Sequence, residues 1–257
     1  MTKAVILAGG LGTRLAEETV TKPKPMVEIG GKPILWHLMK FYASHGVREF
    51  IICAGYKQEY IKAFFANYYL NGSDTTFDLS NGKVQTHTNE DCDWKVSVIN
   101  TGDNTMTGGR LKRIRDYVGD APFFMTYGDG LSDVDVTAEL ASHKKSGCLV
   151  TLAAVLSPPR FGELDIADGK VTSFMEKMIQ SRRRINGGFM VVDPKALDYV
   201  EGDHIMWEHA PMRALASEGK VHAFEHDGFW QCMDNIREKE LLEELWASGK
   251  APWKTWS

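Results

Sequence analysis

The 257-residue chain has little cysteine, no long apolar run and no surplus of positive charge. Its four cysteines, Cys53, Cys92, Cys148 and Cys232, form no CxxC pair, which favours reduced thiols in a cytoplasmic protein. No apolar run reaches the roughly 18 residues that span a bilayer, and the apolar stretch at residues 4–8 is too short for a signal peptide. The 30 basic residues stand against 34 acidic ones, so we expect neither general nucleic-acid binding nor membrane association.

Several common catalytic and binding motifs are also missing. The sequence has no GxSxG, no HExxH and no His/Cys pair with zinc-ligand spacing, which argues against a serine hydrolase and a zinc enzyme. A dinucleotide-binding GxGxxG would need glycine at Leu15. A P-loop would need Ser or Thr after Gly31-Lys32, where Pro33 stands instead.

Hydrophobic periodicity predicts an α/β fold. Short apolar strands alternate with helical patterns, which indicates a mainly parallel sheet flanked by helices. The predicted strands lie at residues 3–8, 50–54, 94–100, 123–127, 149–156, 163–166, 171–176, 188–192 and 221–225. The predicted helices lie at residues 33–45, 59–70, 111–118, 136–145, 207–217 and 235–247, with a hairpin or excursion within 71–93.

No linker or repeat interrupts the chain, so we predict one domain over residues 1–257.

The strongest signal is the run Leu7-Ala8-Gly9-Gly10-Leu11-Gly12-Thr13-Arg14 after the first strand. Backbone N–H groups without neighbouring side chains can approach phosphate oxygens closely, and an arginine adds a fork of charged donors. The alternative is a tight turn with a surface arginine. The Gly-Thr-Arg ending favours the phosphate-binding interpretation.

The segment Lys22-Pro23-Lys24-Pro25 follows soon after. Its alternating prolines predict a stiff, extended backbone that holds both lysines beside the glycine loop, where they suit a polyphosphate. A solvated loop is the alternative.

Carboxylates form the third signal. Asp129, between two glycines, ends an apolar strand and is a candidate Mg²⁺ ligand. Asp133 and Asp135 could compete for that role, and a turn aspartate is the plainer interpretation. Asp234, which precedes the last predicted helix, could supply a second carboxylate. Spacing alone does not bring it to Asp129.

Two polar pairs, Glu176-Lys177 and Asn186-Gly187, bracket a loop with arginines at positions 182–184. These side chains can bind sugar hydroxyls or a phosphate. Taken alone, they favour two strand ends joined by a solvated basic loop.

In this order, LAGGLGTRL, KPKPM, YGDG, EK and NGGF resemble the motifs of the sugar-1-phosphate nucleotidylyltransferases. The resemblance covers the whole chain and implies a Rossmann-like fold. It also implies Mg²⁺-assisted transfer of a nucleoside monophosphate to a sugar 1-phosphate, with release of pyrophosphate. Four segments, at residues 22–31, 106–111, 230–234 and 251–256, are similar to members that use CTP and α-D-glucose 1-phosphate.

The resemblance also implies the roles of individual residues. The catalytic residues would be Arg14, Lys24 and Asp129, and Mg²⁺ would be held by Asp129 and Asp234. The nucleotide would contact Leu7, Ala8, Gly9, Gly10, Gly12, Thr13, Arg14, Lys24, Thr105, Arg110 and Gly128. The sugar phosphate would contact Glu176, Lys177, Asn186 and Gly187. Residues 1–135 would then form mainly the nucleotide-binding half, and residues 136–257 mainly the sugar-phosphate-binding half and the C-terminal helix. A homo-oligomer, commonly a hexamer, and a product that feeds bacterial surface polysaccharides such as the lipopolysaccharide O-antigen are implied as well.

One departure concerns the acceptor side. The family pattern Glu-Lys-Pro has Met178 in place of proline, and three arginines follow at positions 182–184. A different sugar 1-phosphate, a more anionic phosphate or phosphonate acceptor, or UTP or dTTP as donor therefore stay open. Two other classes of function also stay open. One is a glycosyltransferase with a metal at Asp133 and Asp135, and the other is a non-catalytic sensor that binds nucleotide sugars.

Overall fold

The computed structural model describes residues 2–87, 92–156, 163–167, 169–175 and 183–256, and all structural statements refer to these residues. Their strands are β1 (Ala4–Ala8), β2 (Glu28–Ile29), β3 (Lys32–Pro33), β4 (Glu49–Ala54), β5 (Thr75–Asp78), β6 (Lys83–Thr86), β7 (Lys95–Asn100), β8 (Phe123–Tyr127), β9 (Gly130–Ser132), β10 (Val150–Leu156), β11 (Glu163–Ala167), β12 (Lys170–Met175), β13 (Arg184–Val192), β14 (Val221–His226) and β15 (Trp230–Cys232).

The α-helices are α1 (Ala16–Thr19), α2 (Ile34–Ser44), α3 (Gln58–Ala66), α4 (Tyr68–Gly72), α5 (Thr107–Arg113), α6 (Arg115–Val118), α7 (Val136–Ser146), α8 (Ala210–Ser217) and α9 (Ile236–Ala247). Three short 3₁₀ helices cover Thr13–Leu15, Lys24–Met26 and Pro194–Tyr199. Among the described residues, no helix combines the length and apolarity that a membrane crossing requires.

The central sheet has seven strands in the order β14-β10-β13-β8-β1-β4-β7. All of them run parallel to one another except β13, which is antiparallel to its neighbours β10 and β8. The predicted mixed, mainly parallel sheet is therefore confirmed. Strands from both parts of the chain form this one sheet, and the proposed division at residue 135 stays a prediction.

Helices cover both faces of the sheet because successive side chains of a strand point to opposite faces. Along β1, Ala4, Ile6 and Ala8 enter the core formed with α2 and α9. Val5 and Leu7 enter the second core, formed with α5, α6 and α8.

Three helix predictions need correction at an end or in the interior. The predicted helix at residues 59–70 is divided between α3 and α4 at Asn67, whose side-chain amide donates to the Ala63 carbonyl at 2.8 Å. The predicted helix at 207–217 begins only at Ala210, with Pro211 in the first turn. Proline is tolerated there because the first backbone N–H groups of a helix have no carbonyl partner within it.

The helix predicted at residues 111–118 begins earlier, at Thr107, and is interrupted at Ile114. Gly108 and Gly109 lie inside its first turn rather than before it. A Cβ on Gly109 would lie 2.5 Å from the Cα of Asp203, so the glycines allow α5 to pack directly on that backbone. The hairpin predicted within 71–93 is confirmed as β5 paired with β6.

The C-terminal segment packs onto α2 through a cluster of aromatic rings around buried His37. The ring of His37 lies edge-on to Trp36, Trp246 and Trp253. Its Nε2 lies 2.8 Å from the Ile29 carbonyl, and its Nδ1 accepts from Trp253 Nε1 at 3.3 Å. A carbonyl can only accept, so Nε2 carries the proton and the ring is neutral. Burial lowers the pKa of His37 to about 4.

We therefore expect His37 to contribute to acid unfolding. The folded-state pKa lies below that of the unfolded chain, so stability falls as the pH drops from about 6.5 to 4, by up to about 1.4 kcal/mol per pH unit for one proton. In His37→Gln, urea unfolding measured at several pH values should give a shallower loss over this range. Parallel slopes for the two proteins would contradict the neutral, buried imidazole.

Candidate active site

Four parallel strands, β1, β4, β7 and β8, end at the same edge of the sheet. In open α/β sheets, ligands bind outside the carboxyl ends of the strands. A cleft of about 580 Å³ lies at this edge and is lined by the glycine loop, Lys24, residues 103–107 and the turn after β8. Every residue predicted to contact the nucleotide lines the cleft: Leu7, Ala8, Gly9, Gly10, Gly12, Thr13, Arg14, Lys24, Thr105, Arg110 and Gly128. Their contact with a nucleotide stays a prediction.

The glycine loop depends on glycine at two positions. Gly12 has φ +67, a conformation that side chains disfavour, and an added Cβ would lie 2.8 Å from Thr19 Cγ2. The Thr19 hydroxyl donates to the Gly12 carbonyl at 3.1 Å. At Gly9 the guanidinium of Arg110 fills the space that a Cβ would need.

Arg110 is buried and donates hydrogen bonds to the backbone of three loops at the sheet edge. Its acceptors include the carbonyls of Gly9 at 2.9 Å, Ala54 at 3.3 Å and Gly102 at 2.7 Å. Burial lowers the pKa of this guanidinium. The arrangement shows that Arg110 holds the loops after β1, β4 and β7 together at the cleft.

Lys24 lies between two carboxylates on the floor of the site. Its Nζ donates to Asp129 Oδ2 and to Asp234 Oδ1, each at 2.7 Å. Arg14 Nη1 donates to the other oxygen of Asp234 at 2.5 Å. The structure thus brings together the three predicted catalytic residues and both predicted metal ligands.

This arrangement shifts two pKa values in opposite directions. Burial alone would lower the pKa of Lys24, but the charges and hydrogen bonds of Asp129 and Asp234 hold it above its usual value. Burial alone would raise the pKa of Asp234, but Lys24 and Arg14 hold it below its usual value. Both groups therefore carry their charges at neutral pH.

A two-stranded ribbon of β9 and β15 explains why Asp234 lies near Asp129 although the two are far apart in the sequence. Strand β15 pairs antiparallel with β9, with Cys232 opposite Gly130. The next residue, Met233, donates its N–H to the Asp129 carbonyl at 2.8 Å. Beyond it, Glu238 in the first turn of α9 accepts from the Asp234 N–H at 2.6 Å. The pairing and the helix cap together fix the position of Asp234.

The prediction that an extended segment holds both Lys22 and Lys24 beside the glycine loop was wrong. Residues Lys24–Met26 form a 3₁₀ turn that carries Lys24 inward. Lys22 points elsewhere and pairs with Glu28 at 3.2 Å. Only Lys24 lines the cleft.

The competing pair Asp133 and Asp135 has structural roles. Asp133 Oδ1 accepts from the Phe229 N–H at 2.7 Å and lies 3.0 Å from His226. Asp135 caps α7 by accepting from the Ala138 N–H at 2.9 Å. These contacts do not favour the glycosyltransferase alternative that rested on this pair.

The acceptor-side residues are described only in part. Glu176, Lys177, Met178 and position 182 lie outside the described residues. Asn186 and Gly187 lie on β13, beside the end of β8, because β13 runs antiparallel to it. Gly187 accepts from Trp230 Nε1 at 2.6 Å.

Arg184, one of the arginines considered for an anionic acceptor, pairs with Asp227 at 2.6 Å and Glu225 at 3.0 Å. Its guanidinium also donates to the carbonyls of Ala154 and His226. These contacts link β13 to β10 and to the end of β14, and they do not support a substrate role for Arg184.

Three residues that the sequence analysis did not select also lie at the site. Tyr127, at the end of β8, and Thr107, at the start of α5, line the cleft, and both hydroxyls donate to Glu208. The position of Tyr127 directly before Gly128-Asp129 was a usable signal. No sequence pattern pointed to Glu208.

The donor set of the two aspartates fits a hard divalent cation. Asp129 and Asp234 face one cationic group, Lys24 Nζ, from two different segments. Mg²⁺ is commonly bound through one or two carboxylates together with substrate phosphates. Asp129 and Asp234 could therefore hold such an ion.

Comparisons with known proteins agree with this geometry. The nucleotidyl transferase family matches residues 3–231. The glucose-1-phosphate cytidylyltransferase of Salmonella typhimurium is 54% identical over 255 residues, which cover 99% of each chain. The probable glucose-1-phosphate cytidylyltransferase of Bacillus subtilis is 41% identical and covers 99% of this chain and 100% of its own.

Solved structures give the same fold. HddC from Yersinia pseudotuberculosis superposes with a TM-score of 0.71 at 27% identity and covers 96% of this chain and 100% of its own. A UDP-glucose pyrophosphorylase complexed with UDP-glucose has a TM-score of 0.68 at 15% identity, covering 97% and 99% of the two chains, and supports the fold alone.

The geometry predicts strong coupling between Lys24 and its carboxylates. Lys24→Met would leave Asp129 and Asp234 without their shared cation, so we expect a lower free energy of unfolding in urea. Adding Asp129→Asn to Lys24→Met should recover part of that loss, with a coupling energy of about 0.5–3 kcal/mol. Strictly additive effects of the two substitutions would contradict the shared ion pair.

Proposed function

The chain belongs to the nucleotidyl transferase family, and we propose that it transfers CMP from CTP to α-D-glucose 1-phosphate, forming CDP-glucose and pyrophosphate. The substrates are those in the name of the relative that is 54% identical over 255 residues. The observation that carries the chemistry is the placement of Lys24 between Asp129 and Asp234, beside the glycine loop.

The reaction is a single in-line displacement at the α-phosphorus of CTP. A phosphate oxygen of glucose 1-phosphate forms the new P–O bond, and the bond from the α-phosphorus to the bridging oxygen breaks, so pyrophosphate leaves with the electron pair. The attacking oxygen is already ionised near neutral pH. No proton transfer and no covalent enzyme intermediate are therefore required.

The protein's task is to bring two polyanions together and hold them in line. The loop from Gly9 to Gly12 offers backbone N–H groups to the phosphates. Lys24 and Arg14, both at the cleft, neutralise charge on the α-phosphate and on the departing pyrophosphate. Lys177 would hold the incoming phosphate, and Glu176, Asn186 and Gly187 the sugar.

We propose Mg²⁺ as the cofactor, held by Asp129 and Asp234. When bound, the ion polarises phosphate oxygens and offsets the charge that develops during transfer. The two carboxylates supply oxygen ligands, while Lys24 and Arg14 limit the repulsion between them. The cytoplasmic location, the homo-oligomer and the role in surface polysaccharide synthesis stay predictions.

The donor and acceptor are tested by the release of pyrophosphate. CTP, UTP, dTTP, GTP and ATP should be combined with glucose 1-phosphate, mannose 1-phosphate and galactose 1-phosphate in the presence of Mg²⁺. We expect CTP with glucose 1-phosphate to give the highest kcat/KM. Release with another pair alone would change the substrates but keep the reaction, and no release with any pair would contradict the proposed function.

The metal assignment is tested with two matched substitutions. Asp129→Asn should lower kcat by about 10²-fold or more, because it removes a charged ligand from the site of transfer. Asp135→Asn provides the control, because asparagine caps a helix as well as aspartate does and Asp135 lies away from the cleft lining. Near-normal turnover of Asp129→Asn at saturating Mg²⁺ would contradict the assignment.

A further inference from the structure

One carboxylate, Glu208, receives hydroxyl donors from the two sides of the cleft. The Tyr127 hydroxyl donates to its Oε1, and the Thr107 hydroxyl donates to its Oε2 at 2.6 Å. Tyr127 ends β8, whereas Thr107 begins α5. Both line the cleft, and Glu208 itself lies on the segment that precedes α8. A single side chain therefore links two walls that are separate in the sequence.

The Tyr127 branch reaches the acceptor side. Asn186, a predicted sugar-phosphate ligand, lies two residues before Gly188 on β13, and its Oδ1 accepts from the Gly188 N–H at 2.9 Å. The ring also packs under β13, because a Cβ on Gly188 would lie 2.5 Å from Tyr127 Cδ2. Burial and the negative charge of Glu208 raise the pKa of Tyr127. The hydroxyl therefore stays protonated and donates a hydrogen bond to the carboxylate.

The Thr107 branch reaches the nucleotide side. Thr107 is the first residue of α5, the helix that carries Arg110, and it follows Thr105 in the cleft wall. Its hydroxyl also accepts from the Trp207 N–H at 2.9 Å, which leaves its own proton for Glu208. The start of α5 is thus held at a defined distance from Glu208.

The chemistry of this junction requires a carboxylate. The two hydroxyls donate to different oxygens of Glu208, and both oxygens of a carboxylate are acceptors. Hydrogen bonds to an ionised acceptor are also shorter and stronger than neutral ones. An amide of the same size has an acceptor oxygen at one position and an NH2 donor at the other, so in this orientation it can accept from only one of the two hydroxyls.

We propose that Glu208 is a positioning residue for the transfer reaction. It sets the acceptor-facing surface of Tyr127 and Asn186 relative to the nucleotide-facing start of α5. This inference rests on the proposed function, because the positions it sets are those of the sugar phosphate and of CTP. Glu208 acts through Tyr127 and Thr107 rather than by contact with the reacting atoms.

The two branches predict different kinetic effects. Tyr127→Phe should raise KM for glucose 1-phosphate about tenfold and leave KM for CTP within about twofold, because it removes only the acceptor-side hydrogen bond. Thr107→Val should raise KM for CTP about tenfold and leave KM for glucose 1-phosphate within about twofold. Glu208→Gln should raise both KM values, and Glu208→Asp should restore part of the loss relative to Glu208→Gln.

Glu218→Gln is the matched control. Glu218 also accepts from a tyrosine hydroxyl, Tyr199 at 2.6 Å, but neither residue lines the cleft. We expect this variant to alter at most the melting temperature, with both KM values unchanged. A Glu208→Gln variant that behaves in the same way would overturn the inference, because the hydrogen bonds would then serve stability alone.

The design separates this inference from the proposed function. If the wild-type protein shows no turnover with CTP and a sugar 1-phosphate, the proposed function fails. CTP binding, followed by tryptophan fluorescence, then tests the Thr107 branch, and equal Kd values for wild type and Thr107→Val would overturn the inference. If Glu208→Gln does not fold, unchanged KM values in both Tyr127→Phe and Thr107→Val would overturn it as well.

Discussion

The site depends on one buried cation placed between two carboxylates. Lys24 is held by Asp129 and Asp234, which are 105 and 210 residues away in the sequence, so this contact joins three distant segments at one point. A charged lysine that is 8% exposed is stable there only because both carboxylates compensate its lost hydration. These carboxylates also hold the two cations, Lys24 and Arg14, in place at the cleft, where the phosphates of the proposed substrates would bind.

Strand direction explains how the remaining parts reach this point. The parallel strands β1, β4, β7 and β8 deliver their following loops to one edge, where Arg110 binds the carbonyls of three of them. The reversed strand β13 starts at that edge instead of ending there, which brings Asn186 beside Tyr127. The Glu208 junction then fixes the spacing between the walls. In the proposed reaction, the nucleotide and the acceptor would therefore bind to one shared framework.

Prediction from sequence succeeded where the signal was local and failed where a side chain's partner was remote. The apolar run before Gly9 identified β1, and the glycine-rich run identified the loop that follows it, in which Gly12 has a positive φ. The prolines around Lys24 suggested an extended chain, yet burial of its ammonium against distant carboxylates favoured a 3₁₀ turn. Asp133 and Asp135 had a metal-like spacing, but a backbone N–H and a helix N-terminus use their oxygens. Spacing describes which groups are near in the chain and says little about which donors will face them.

The sequence by itself determined the α/β class, the position of the glycine loop after β1 and the identity of the charged groups, because these follow from short-range periodicity and residue chemistry. Only the tertiary structure decided that Asp234 returns to Asp129, through the pairing of β15 with β9. It also decided that Arg184 pairs with carboxylates at the end of β14 and that Glu208 accepts hydrogen bonds from two residues of the cleft wall. These assignments depend on contacts between segments far apart in the chain, and such contacts are selected by packing and charge compensation across the whole fold.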